Sequence, residues 1–117
     1  MKTILIVDDD VIYRQLLRAK LESKGYGVIE ASDGQNALNI MKIQGPAINL
    51  ILLDLRMPEM DGQTFFHELK TTLHLDVPII VLTNQSVAVY PSDIKDFIVK
   101  TDITLDKLME KIDSYFL

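Results

Sequence analysis

Three kinds of reactive side chain stand at the ends of four short apolar runs in this sequence. Ile4, Leu5, Ile6 and Val7 lead into Asp8, Asp9 and Asp10, and Leu50, Ile51, Leu52 and Leu53 lead into Asp54. Ile79, Ile80, Val81 and Leu82 end on Thr83, and Phe97, Ile98 and Val99 end on Lys100. Runs this short and rich in branched side chains suit strands buried on both faces of a parallel sheet. Open α/β sheets bind ligands outside the carboxyl ends of their strands. The pattern therefore predicts one site built from carboxylates, a hydroxyl and an ammonium group.

With Asp8, Asp9 and Asp54 at neighbouring strand ends, like charges oppose one another. Two unit charges about 4 Å apart repel by about 4 kcal/mol at an effective dielectric of about 20. Protonation or a bound cation relieves this. Carboxylate oxygens suit Mg²⁺ or Mn²⁺ rather than zinc, which recruits His or Cys. The chain has no cysteine, and His67 and His74 fall in or just after a predicted helix, away from the strand ends. Lys100 can neutralise a further charge, and Thr83 can donate one hydrogen bond. A cation, an ammonium group and a hydroxyl converging on a carboxylate suit a phosphoryl group. Asp54 is then a candidate nucleophile that forms an acyl phosphate.

Each residue also has a plainer reading. Asp8, Asp9 and Asp10 can cap the following helix at its positive end. Asp54 can be a solvated strand-end charge, Thr83 an ordinary β-branched residue and Lys100 a surface lysine. The histidines read as exposed, and Met57 and Met60 as loop packing. The placement of different residue types at four strand ends together is what favours the site.

The elements that must position these groups follow from patterning. The 117 residues suit one domain over 1–117. Their 48% hydrophobic and 25% charged content is ordinary for a soluble globular protein. A net charge of -5 argues against nucleic acid or an anionic membrane as the main partner. The apolar start is too short for a signal peptide and no run is long enough to span a membrane, so a cytoplasmic protein is expected. Ile12, Leu16, Leu17 and Leu21 form a helical stripe ending near Lys24 and Gly25. Val28, Ile29 and Ala31 read as a short second strand. Ser32, Asp33, Gly34 and Gln35 offer an N-cap and a capping-box glutamine before Ala37, Leu38 and Met41. Phe65, Phe66, Leu69 and Leu73 predict a helix from Gly62, and Leu105, Leu108, Met109, Ile112 and Phe116 predict a last one. Strands alternating with such helices imply βαβ units. Twelve residues, 84–95, separate Thr83 from a strand beginning at Asp96, and Pro91 lies among them. They predict a loop or a single turn rather than a helix.

These residues resemble the CheY-like receiver domains of two-component response regulators, over nearly the whole chain. The most specific stretch is Asp54-Leu55-Arg56-Met57-Pro58-Glu59-Met60-Asp61-Gly62, which matches the family's phosphoacceptor segment. Val7-Asp8-Asp9 matches the acidic pair, Thr83 the switch hydroxyl and Lys100 the strand-end lysine. The resemblance implies a doubly wound, flavodoxin-like five-stranded parallel sheet of order 2-1-3-4-5. It implies that Asp54 accepts phosphoryl from a histidine kinase or phosphotransfer protein. Asp9, Asp54 and the backbone carbonyl of Arg56 would ligate Mg²⁺, with Asp8 mainly through water. Lys100 would pair with the phosphoryl oxygens and Thr83 would move to bond one of them. Phe97 takes the place of the aromatic switch residue and lacks the hydroxyl of a tyrosine.

Three departures mark this chain. The spacing from Thr83 to Lys100 is shorter than usual, so the family's fourth helix is expected to be short or absent. Thr101 stands where a cis proline is frequent. A cis bond there would cost about 2.5 to 4 kcal/mol, so trans is expected. Asn84 takes the place of a small residue. The leading expectation is a stand-alone switch, a monomer or weak dimer with no output domain, that signals to a downstream protein by contact. It would be no enzyme beyond self-phosphorylation from small phosphodonors and self-dephosphorylation. An interaction module indifferent to phosphorylation is the alternative. A magnesium-dependent aspartyl phosphatase ranks last, because its usual second acid falls on Arg56.

Overall fold

Successive side chains of a strand point to opposite faces, so a run with no polar member needs cover on both sides. In the computed structural model, which describes residues 1–55, 62–84 and 96–117, helices supply that cover. The order is β1 (Thr3–Val7), α1 (Val11–Ser23), β2 (Gly27–Ala31), α2 (Gly34–Gln44), β3 (Leu50–Leu53), α3 (Gly62–Thr71), β4 (Ile79–Thr83), β5 (Asp96–Val99) and α4 (Leu105–Ser114). Short 3-10 turns follow α2 and β5. The five strands are parallel and ordered 2-1-3-4-5, the order the resemblance implies. No helix among the described residues is long and apolar enough to cross a membrane.

The strand runs divide between two cores by alternation. Leu5, Val7, Ile51, Leu53, Ile79 and Val81 pack on Ala37, Leu38 and Met41 of α2 and on Phe65, Phe66 and Leu69 of α3. Ile4, Ile6, Leu50, Leu52, Ile80 and Leu82 pack on Leu17 and Leu21 of α1 and on Leu108, Met109 and Ile112 of α4. Register then levels the strand ends. Val7 lies beside Leu53, and Thr83 beside Val99. Asp8, Asp54, Thr83 and Lys100 thereby share one edge of the sheet.

Two local expectations need correction. The stripe on α1 is narrower than the sequence suggests: Leu17 and Leu21 are buried, but Ile12 is 70% and Leu16 51% exposed. At about 100° per residue, Leu16 and Ile12 stand roughly 100° and 140° around the helix from Leu17, outside the face that meets the sheet. On α2, Asp33 is the N-cap, accepting from the Asn36 N–H at 2.8 Å. Gln35 is then one position too early for a capping box and donates to Asn39 Oδ1 at 3.2 Å instead. α1 ends at Ser23, with Gly25 at a φ of 91°, as the patterning expects, whereas α3 and α4 stop at Thr71 and Ser114, short of the expected Leu73 and Phe116. The described residues contain no cis peptide bond, so the bond before Thr101 is trans. The loop or turn expected across 84–95 falls on residues 85–95, outside the described residues.

The last helix is tied to the sheet at both margins. Near β5, the Tyr115 hydroxyl donates to Asp96, and Lys111 Nζ lies 2.9 Å from Asp96 Oδ1. Near β2, the Tyr26 hydroxyl donates to Asp113, and Lys24 Nζ lies 2.8 Å from Asp113 Oδ2. Burial pushes the Asp96 carboxyl up, but the bonds from Tyr115 and Lys111 outweigh it and hold it below its ordinary value. Lys24, and then Tyr26, hold Asp113 low as well. Both groups are thus more acidic folded than unfolded. Their contribution is complete above the unfolded value of about 3.9 and is lost as pH falls through the lower folded values. The urea midpoint should therefore drop between about pH 5 and pH 2, and Asp96→Asn should shrink that drop.

Candidate functional site

The loop between β1 and α1 begins the site. The Asp8 N–H donates to the Ala31 carbonyl at 3.1 Å, and the Asp54 N–H to the Val7 carbonyl at 2.9 Å. These ladder bonds carry the sheet one residue past its apolar runs and hold both aspartates rigidly. Asp10 caps α1, accepting from the Tyr13 N–H at 3.1 Å. Of the three consecutive aspartates, then, Asp10 fills the capping role and leaves Asp8 and Asp9 for the site.

One carboxylate oxygen from each of Asp8, Asp9 and Asp54 lies within 4.8 Å of the others. Asp8 and Asp54 are only 3% and 4% exposed, whereas Asp9 is open to solvent. Lys100, far from being a surface lysine, is buried among them. Its Nζ donates to Asp8 Oδ2 at 2.5 Å and lies 3.9 Å from Asp54 Oδ2. A lysine is taken from water only where it is paired, and here the surplus of carboxylates supplies the pairing. Three acids against one ammonium leave the pocket short of positive charge. All the donors are hard oxygens at close range, a set that fits a small divalent cation.

Asp8 is held from three sides. Oδ2 meets Lys100, Oδ1 accepts from the Asp10 N–H at 2.9 Å, and the Asp8 carbonyl accepts from Arg14 Nη1 at 2.5 Å. Arg14 is itself fixed by Glu30 of β2, with Nε 3.0 Å from Oε1. The guanidinium groups of Arg18 and Arg14 hold the Glu30 carboxyl below its ordinary range. Tyr13, one turn into α1, lays its ring over Lys100, the centroid 4.1 Å from Nζ. Burial, then the charges of Asp8 and Asp10, push its hydroxyl up to about 12, so the ring stays neutral. Sequence patterning singles out neither Tyr13 nor Arg14. Their only local signal is a place one turn beyond the acidic residues; the contact with Lys100 spans most of the chain.

Thr83 is fully buried, and its Oγ1 has no hydrogen-bond partner among the described residues. Phe97 is half-buried beside Val81 and packs against the core formed with α2 and α3. His67 and His74 are exposed, as their sequence context suggests. The Arg56 carbonyl, Met57 and Met60 lie outside the described residues. A buried hydroxyl with no partner costs about 1 kcal/mol or more relative to an apolar isostere. Thr83→Val should therefore raise stability by about 1 kcal/mol in urea unfolding, and a loss of that size would show that the hydroxyl is bonded after all.

Comparison with known proteins places this geometry. The family model described as "Response regulator receiver domain" matches residues 4–113. The "Probable transcriptional regulator ycf27" of Porphyridium aerugineum is 40% identical over 108 residues, covering 92% of this chain and 41% of that protein. The chain thus spans less than half the length of the curated relatives it matches. Among solved structures, the response regulator TrrA of Thermotoga maritima, in complex with Mg(2+)-BeF, superposes with a TM-score of 0.78 at 32% identity, covering 98% of this chain and 99% of that one. A chain in the complex of histidine kinase ThkA with TrrA superposes at 0.80 and 31% identity, over the whole of both chains. Matched by the family model over residues 4–113, and 40% identical to a relative over 92% of its length, this chain belongs to the response regulator receiver domains of two-component signalling.

Proposed function

We propose that this receiver domain is a phosphorylation switch in which Asp54 accepts a phosphoryl group. The observation that carries the reading is the buried Lys100 ammonium, 3.9 Å from Asp54 Oδ2 in a pocket that holds three carboxylates. An Asp54 oxygen attacks phosphorus while the bond to the donor's leaving group breaks. The leaving imidazole, or acetate from acetyl phosphate, departs with the electron pair. Lys100 exchanges part of its pairing with Asp8 for the new phosphoryl oxygens. Thr83 turns its hydroxyl toward one of them, and Phe97 follows the space that this movement opens.

Asp9, Asp54 and the Arg56 carbonyl would hold Mg²⁺, with Asp8 acting through water. When bound, the ion supplies the positive charge that three acids and one lysine lack and draws charge from the phosphoryl oxygens. The donor is a histidine kinase or phosphotransfer protein. The exposed apolar residues Val11, Ile12 and Leu16 of α1, which begin directly after the acidic residues, offer it a docking face beside the site. TrrA, similar along its whole length, is seen with the histidine kinase ThkA. Output is contact with a second protein, favoured only as far as that partner prefers the phosphorylated state.

Incubation with Mg²⁺ and acetyl phosphate should add one phosphoryl mass to the chain, and Asp54→Asn should abolish the addition. Equal labelling of Asp54→Asn would reject Asp54 as the acceptor. Ile12→Asp should slow transfer from a cognate kinase by about tenfold or more, while uptake from acetyl phosphate stays unchanged.

A further inference from the structure

The ammonium group of Lys100 has a third neighbour that the proposed chemistry does not use. The ring face of Tyr13 lies over it, with the centroid 4.1 Å from Nζ, well inside the range of about 6 Å over which a cation is attracted to an aromatic quadrupole. The ring reaches this place because Asp10 caps α1 through the Tyr13 N–H. The turn that starts the helix therefore also aims the ring at the site. Among the described residues, Lys100 also meets Asp8 and Asp54, both buried, so two carboxylates and one π face border its ammonium.

The three partners differ in what can take them away. A divalent cation held by Asp54, and by Asp8 through water, would draw on the charge of both carboxylates and so weaken their hold on Lys100. It does not compete for the ring. We propose that Tyr13 is a positioning residue for Lys100. Its ring face keeps the ammonium at the pocket when a cation draws Asp8 away, so that Lys100 remains in place for a phosphoryl group on Asp54. This rests on the reading of Asp54 as phosphoacceptor.

The test compares wild type, Tyr13→Phe, Tyr13→Leu, Lys100→Met and the Tyr13→Leu/Lys100→Met pair. The initial rate of phosphoryl uptake from acetyl phosphate is followed by mass at saturating Mg²⁺, over a range of donor concentrations. Tyr13→Phe keeps the π face and should retain the wild-type rate. Tyr13→Leu keeps apolar bulk without it and should lower the maximal rate roughly two- to fivefold, the weight of one cation–π contact. In the Lys100→Met background the same substitution should change nothing further, because the ring then has no cation to hold. Tyr13→Met replaces the leucine variant if that chain does not fold. A leucine variant as fast as wild type, a phenylalanine variant as slow as leucine, or an undiminished loss in the Lys100→Met background would each overturn the proposal. In all three the wild type is still labelled, and the reading of Asp54 stands. A wild type that takes up no phosphoryl group would overturn that reading and this proposal together.

Discussion

Three carboxylates reaching within 4.8 Å of one another at the rim of a sheet are a strained arrangement of charge. At the dielectric of a partly buried pocket each close pair repels by several kcal/mol, and two of the three acids are almost closed to water. The arrangement persists because one ammonium, Lys100, is buried with them and because the backbone on either side is locked into the sheet. Breaking a buried pair from one side costs about 3 to 5 kcal/mol, since it strands the other charge. The pocket is therefore stable with its lysine and still short of positive charge. In the proposed function, that residual deficit makes the site receptive both to a cation and to chemistry at Asp54.

Holding such a cluster demands stiff supports, and the fold supplies them on every side. β1 and β3 lie side by side within the sheet, covered on both faces, so Asp8 and Asp54 follow directly from strands packed on either side. Arg14 and Glu30 extend the support to β2, and Tyr13 closes the site from α1. Thr83 differs from these: its hydroxyl is buried without a bond among the described residues. In the proposed function, a new acceptor in the pocket would offer that hydroxyl the bond it lacks, which suits a two-state element.

Much of the fold is legible in the sequence because four of its five strands carry unbroken apolar runs and its helices carry a regular stripe. The candidate site is legible for the same reason, since a reactive residue at the end of each run marks the strand's carboxyl end. Legibility fails where neighbouring patterns overlap. Ile12 and Leu16 fit a helical period as well as Leu17 and Leu21 do, and only the angle at which α1 meets the sheet leaves the first two exposed. Ser32 and Asp33 are both good caps, and the choice of Asp33 shifts Gln35 out of the capping box. Lys100, taken alone, looks like any surface lysine.

The sequence by itself determined the strands, the sheet class and the residues gathered at its rim, because alternation, helical period and capping act between residues a few positions apart. Only the tertiary structure decided how those residues are paired. That Lys100 bonds Asp8 more closely than Asp54, that Arg14 grips the Asp8 carbonyl, and that the Tyr13 ring covers the ammonium all depend on strand order and on the setting of α1 against the sheet. Lys100 and Asp8 stand 92 positions apart in the chain. Contacts at that separation are selected by packing and by the balance of buried charge, which no local pattern encodes.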